Sequence, residues 1–266
     1  MFVSEKFEVG VDRDKPLVEQ LSRLVDALFE HIWRSPDALA ELLPPPPVSP
    51  PVPFLGRVDT AEVLTVGINP SDSEVRLGHF PEKVTSAEMT RRLLRYFERD
   101  EVLSDPRLSA WELALNELGL SYTDGTAAHI EMSPRTARPL DDCDPYLFQE
   151  MVRYDLPFMF HLLDVLTKPR VLLMAGTVAG AYPLGAFLGE VAPESDWHLV
   201  GEGHSGHVGP FGYHTLCSEA SSFGCFYCSA DLRMPGESAF LKSCIREQRS
   251  RLELLIGQPR EAFETP

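Results

Sequence analysis

Val66-Gly67-Ile68-Asn69-Pro70-Ser71 is the stretch on which the reading of this chain turns. Residues 62–68 form a short apolar, β-branched run that reads as a buried strand. Gly67 permits close backbone approach, and Pro70 sharpens the following turn while removing one donor. Asn69 then stands at the strand's carboxyl end, with an amide that both accepts and donates. Ser71 and Glu74 also fit a helix-capping box, so a plain strand-to-helix turn is the competing reading.

Outward from this segment, strands alternate with helices. Leu17, Leu21, Leu24, Val25, Leu28, Phe29 and Ile32 recur at helical spacing and predict a helix over 16–33. A short helix is expected over 36–43, with Pro36 in its first turn. The proline-rich run 44–53 reads as an extended strap packing this N-terminal helix pair (1–53) onto a main domain (54–266). Helices are expected over 86–98, 109–119 (ending at Gly119), 145–167 (bent at Pro157), 177–188 and 237–256. Strands are expected over 126–132, 170–175, 196–201 and 212–217. This order implies an α/β fold, a three-layer α/β/α arrangement around a mostly parallel sheet of about four to five strands. Ligands of such sheets bind beyond the carboxyl ends of the strands. That rule selects the loops after Ile68, Met132, Ala175 and Cys217.

The chain has 266 residues, 44% apolar and 24% charged, which suits a globular protein with a sizeable core. No run approaches a membrane span, and Met1 to Lys6 lacks the order of a signal peptide, so a cytoplasmic monomer without membrane contact is expected. The net charge of −16 disfavours tight, sequence-blind binding of nucleic acid. Arg76, Lys83, Arg91, Arg92, Arg95 and Arg99, with Arg135 and Arg138, form a local basic excess. They read either as a groove or as solvated helix faces, since Glu88, Glu98 and Asp100 are interleaved. Cys225-Phe226-Tyr227-Cys228, flanked by Cys217 and Cys244, could bind zinc, with His204 and His207 as further candidates. Cys244 stands alone in a helical pattern, however, so these read as buried or incidental thiols, and no cofactor is expected.

The segment from Gly67 to Ser71 resembles the first motif of the uracil-DNA glycosylase superfamily, whose mismatch-specific and single-strand-selective branches carry Gly-x-Asn-Pro-Gly. The resemblance implies that fold over roughly residues 60–256, and a water positioned by Asn69 for attack on C1′ of a flipped nucleotide. Gly67, Ile68, Pro70 and Ser71 would line the base pocket, with Ser71 in place of the usual second glycine. Asp72 would add a catalytic carboxylate, or simply begin a helix. Phe80 would stack on the base, or is a core aromatic beside Pro81.

Glu131, in His129-Ile130-Glu131-Met132-Ser133-Pro134-Arg135, falls where related glycosylases read the base. A carboxylate there suits an exocyclic amine such as N4 of cytosine. Alternatively Glu131 pairs with Arg135, Arg138 or another arginine, and His129 is a satisfied core histidine. Ser218, Ser221 and Ser222 resemble the family's phosphate-gripping loop in placement, and Phe223 its duplex wedge. Some members of the superfamily carry an iron–sulfur cluster, which would draw on the cysteines above.

The expectation is a monofunctional DNA glycosylase acting on a modified or damaged base, a cytosine derivative or one carried by phage DNA among them. The alternatives are a non-catalytic nucleotide or nucleic-acid binding module on the same fold, and a small metalloprotein.

Overall fold

The computed structural model describes residues 15–33, 39, 51–70, 85–98, 103, 105–135, 144–178, 182–183, 188, 198–200, 211–218, 221–232, 234 and 236–257. Its sheet has seven strands in the order β1-β3-β2-β4-β9-β8-β7. These are β1 (Phe54–Leu55), β2 (Val63–Gly67), β3 (Ala127–Glu131), β4 (Val171–Ala175), β7 (His198–Val200), β8 (Phe211–Cys217) and β9 (Ser222–Cys228). The middle four, β3-β2-β4-β9, are mutually parallel, while β1, β8 and β7 pair antiparallel at the margins. The α/β class holds, and the sheet is wider and more mixed than the expected four to five strands.

β1 and β9 account for the extra width, and a separate two-stranded ladder is a further departure. Residues 222–228 form β9, although their Ser-Phe-Gly-Cys composition reads as a loop. The expected helix over 177–188 is replaced, at Thr177–Val178 (β5) and Tyr182–Pro183 (β6), by a small antiparallel ladder. Of the expected helix over 36–43 only Leu39 is described, helical and buried, and the strap from 44 to 50 lies outside the described residues.

The central strands are almost wholly buried, as parallel strands covered on both faces must be. The helices are α1 (Leu17–Trp33), α2 (Ser86–Leu94), α3 (Pro106–Leu115), α4 (Pro145–Val165), α5 (Glu237–Glu247) and α6 (Arg249–Gly257). α1 lies against α2 and α4, and α3 against α5. Leu21, Leu24, Val25 and Leu28 of α1 are buried, each contributing about 1.5–3 kcal/mol by leaving water. α3 is followed by a 3₁₀ turn that Gly119 ends at φ +71°, a left-handed conformation that favours glycine. α4 runs through Pro157. No helix among the described residues is long and apolar enough to cross a membrane.

The chain passes from β2 to β3 on one side, then back across β2 to β4 on the other. Right-handed crossovers place the connections from β2 and β3 on opposite faces. A topological switch point therefore lies between β2 and β4, beside the loop that follows Gly67.

Candidate functional site

β2 delivers Gly67, Ile68 and Asn69 to the carboxyl edge of the sheet, each partly exposed, with Pro70 buried behind them. The ladder between β2 and β3 extends past both strands: the backbone N–H of Met132 donates to Gly67 O at 2.9 Å, and that of Ser133 to Ile68 O at 2.8 Å. The two loops thus leave the sheet side by side. Asn69 Nδ2 donates to Pro70 O at 3.1 Å, and among the described residues nothing donates to its Oδ1. Arg107, in the first turn of α3, donates from Nη1 to Asn69 O at 3.3 Å. Asp105 caps that helix, accepting from the N–H groups of Arg107 and Leu108. Burial pushes the Asp105 carboxyl up, but Arg107 and the two backbone donors outweigh it and hold it below the usual aspartate range.

Register sets the rest of the site. Thr65 faces His129 and Gly67 faces Glu131 across the parallel pair, so all four positions share one sheet face. His129 Nδ1 lies 2.7 Å from Thr65 Oγ1, and His129 Nε2 lies 3.2 Å from Glu131 Oε1. Thr65 Oγ1 also meets the hydroxyl of Tyr122. The turn bearing Tyr122 is pinned by Glu112, which accepts from the Ser121 hydroxyl and from Tyr122 N. Phe97 stacks on the Tyr122 ring at 4.4 Å.

Glu131 is 1% exposed, and its Oε2 has no hydrogen-bond partner among the described residues. The carboxylate lies over Gly67, where a Cβ would collide with Oε2 and stand 2.8 Å from His129 Nε2. Glycine is needed at residue 67 for this close approach rather than for its dihedral freedom.

Arg135 was a candidate partner for Glu131 and a member of the basic excess. It is neither, being 2% exposed and bound to Asp155 of α4 by two hydrogen bonds of 2.7 Å. Ser133 donates to the same carboxylate at 2.6 Å, and His31 of α1 lies 3.2 Å from it. Burial pushes the Asp155 carboxyl up, but the Arg135 and His31 contacts outweigh this and hold it below the usual range. The cluster ties the loop after β3 to two helices.

No protein-family model matches the chain, and no curated protein matches it. The site is therefore read from its own geometry.

That geometry brings Gly67, Ile68, Asn69, Pro70 and Glu131 together. It does not bring the serines there. Ser218 and Ser221 flank the turn between β8 and β9, and Ser222 opens β9. Because β9 runs parallel to β4, Ser222 lies at the amino edge of the sheet, six residues before Cys228, which faces Ala175. That is roughly 20 Å from the level of Gly67 along the strands. Phe223 is 0% exposed within β9, so it is a core residue and not a wedge. Ser71, Asp72 and Phe80 lie outside the described residues, as do Arg76, Lys83, Arg99 and Arg138.

Arg91 and Arg92 pair with Glu88, and Arg95 pairs with Glu98, which is the helix-face reading of those arginines. Among the described residues no group of three or more His, Cys, Asp or Glu could hold a metal ion. Cys225 and Cys228 are buried in β9, and burial pushes both thiols up to about 12. Sequence reasoning missed Thr65, Tyr122 and Arg107. For Thr65 the signal was a polar residue in an apolar strand, at the same alternation as His129 and Glu131 on the next one.

Proposed function

We propose that this chain is an N-glycosidase of the DNA glycosylase kind, acting on a modified or damaged base whose bond is cleaved by a water that Asn69 holds. The observation that carries this is the juxtaposition of Asn69 and Glu131 at the carboxyl ends of two adjacent parallel strands, beside the switch point. Among the described residues nothing donates to the Asn69 amide oxygen, which would hold the water, and Glu131 offers a buried acceptor level with Gly67, two residues before Asn69. Departure of a base leaves an oxocarbenium-like sugar, and such a reaction rests on positioning and electrostatics more than on a strong nucleophile. With Ser218, Ser221, Ser222 and Phe223 away from the site, the reading favours a nucleotide whose base is already out of the stack over one the protein must prise from a duplex.

The test is base release from single- and double-stranded oligonucleotides bearing uracil, mismatched thymine, cytosine or modified cytosines. Release is expected from at least one single-stranded substrate, with a loss of about a hundredfold or more in Asn69→Ala. No release from any of them, or an undiminished Asn69→Ala variant, would refute the reading. The net charge of −16 and the displaced serines favour a second reading, a base-binding module without catalysis. Binding without abasic-site formation would identify it.

A further inference from the structure

Beneath Glu131 runs a hydrogen-bond chain that bond cleavage by Asn69 does not use. It passes from the Tyr122 hydroxyl to Thr65 Oγ1, on to His129 Nδ1 at 2.7 Å, and from His129 Nε2 to Glu131 Oε1 at 3.2 Å. Its four members are 1%, 0%, 5% and 1% exposed, so water does not compete for these contacts. A buried polar chain of this kind polarises its members and fixes them in one arrangement.

The chain determines what the other carboxyl oxygen can do. If Glu131 is ionised, Nε2–H donates to Oε1 and Oε2 is an acceptor. If a proton sits on Oε1 and is given to Nε2, Oε2 is the carbonyl oxygen and again an acceptor. Only a proton on Oε2 itself would make that atom a donor, and Oε1 would then be the oxygen facing Nε2–H as a carbonyl, a weaker partner than a carboxylate. Oε2 is the buried oxygen without a partner among the described residues. Gly67 supplies the room in which it stands. An unpaired buried acceptor is costly to a folded chain, and such costs concentrate where a ligand completes the bond.

We infer that Thr65 and His129 are positioning residues that hold Glu131 as a hydrogen-bond acceptor, so that the site takes a ligand presenting an exocyclic amino group, of the aminopyrimidine class, and turns away its counterpart with a keto oxygen at that position. The inference rests on reading the site as one that receives a base. Opposite Oε2, an amino group completes a charge-assisted bond, whereas a keto oxygen faces a second acceptor and leaves both unpaired.

The full-length ¹⁵N-labelled protein would be titrated with 2′-deoxycytidine and with 2′-deoxyuridine at neutral pH. Deoxycytidine is expected to bind at least about tenfold more tightly. Glu131→Gln, whose amide can turn its N–H₂ to the ligand, should erase or invert that preference. Thr65→Val should narrow the ratio of the two affinities, and Thr65→Ser should restore it. A purely structural role would weaken both ligands equally and leave the ratio unchanged.

Imidazole ¹⁵N–¹H correlations give a second readout that needs no ligand. The His129 Nε2 signal should report a hydrogen bond that Glu131→Gln shifts. Equal binding of the two nucleosides, binding of neither, or an Nε2 signal indifferent to Glu131→Gln would each overturn the inference. Selective binding without base release would leave it standing and remove the glycosidase reading instead.

Discussion

Glu131 and Gly67 share one volume: the carboxylate of the first occupies the place where a side chain of the second would begin. The pairing joins two adjacent strands at their carboxyl ends and makes the residue before Ile68-Asn69 inseparable from the acid beside it.

Gly67→Ala should therefore act through Glu131. The new methyl must push out the carboxylate or the His129 ring, and neither yields easily within a buried chain. A loss of about 1–3 kcal/mol in denaturant unfolding is expected, in the range of core overpacking. In the Glu131→Ala background part of that loss should disappear, leaving the contact with His129. Strict additivity of the two substitutions would contradict the shared volume.

Breaking the Arg135–Asp155 pair from one side should be severe. Asp155→Ala leaves a buried guanidinium without its carboxylate, and a loss of about 3–5 kcal/mol is expected. Arg135→Met with Asp155→Leu should recover part of it, since an apolar pair removes both charges together while Ser133 and His31 still lose their acceptor. The wild-type pair also predicts a pH dependence. The folded-state carboxyl titrates below the ordinary aspartate value of about 3.9. Its stabilisation is thus complete above that pH and is lost as pH falls through the folded value. Acid unfolding monitored by circular dichroism should show this loss in the wild type and not in the apolar double variant.

Phe223→Ala distinguishes a core residue from a wedge. A fully buried phenylalanine predicts about 3–5 kcal/mol of lost stability. A surface wedge would give less than about 0.5 kcal/mol in thermal or denaturant unfolding, with the effect confined to duplex binding.

The thiols of Cys225 and Cys228 should resist alkylation at pH 8 until the chain unfolds. Burial pushes both up to about 12, so the reactive thiolate is scarce. Mass spectrometry of iodoacetamide-treated protein, native against denatured, reads this at each peptide. Rapid native labelling of either residue would show that β9 is less buried than described.

How far the sequence carried the reading differs from strand to strand. Val63, Leu64 and Val66, and Val171 to Met174, announce buried parallel strands because both their faces must be apolar. β9 escaped because Ser222, Gly224 and two cysteines carry turn and metal-site associations, whereas in the sheet cysteine packs as a small apolar residue and glycine is tolerated. The helix expected at 177–188 gives way at 177–178 and 182–183 to a short ladder, where β-branched Thr177 and Val178 suit extended backbone and Pro183 does not suit a helix interior. At the site, Asn69 and Glu131 were legible as residue types at strand ends. The chain from Tyr122 to Glu131 was not, because Thr65 meets His129 only through the register of two strands more than sixty residues apart, 64 by their numbering. Neither sequence neighbourhood contains that information.

The sheet's margins have one more consequence. Its outermost strands are β1, two residues long and preceded by Pro51 and Pro53, and β7, three residues long. Edges this short, one flanked by prolines that lack an N–H, offer little backbone for another chain to extend. At these two described borders, extension of the sheet by a second chain should therefore be poorly templated, an effect that adds to the repulsion from a net charge of −16.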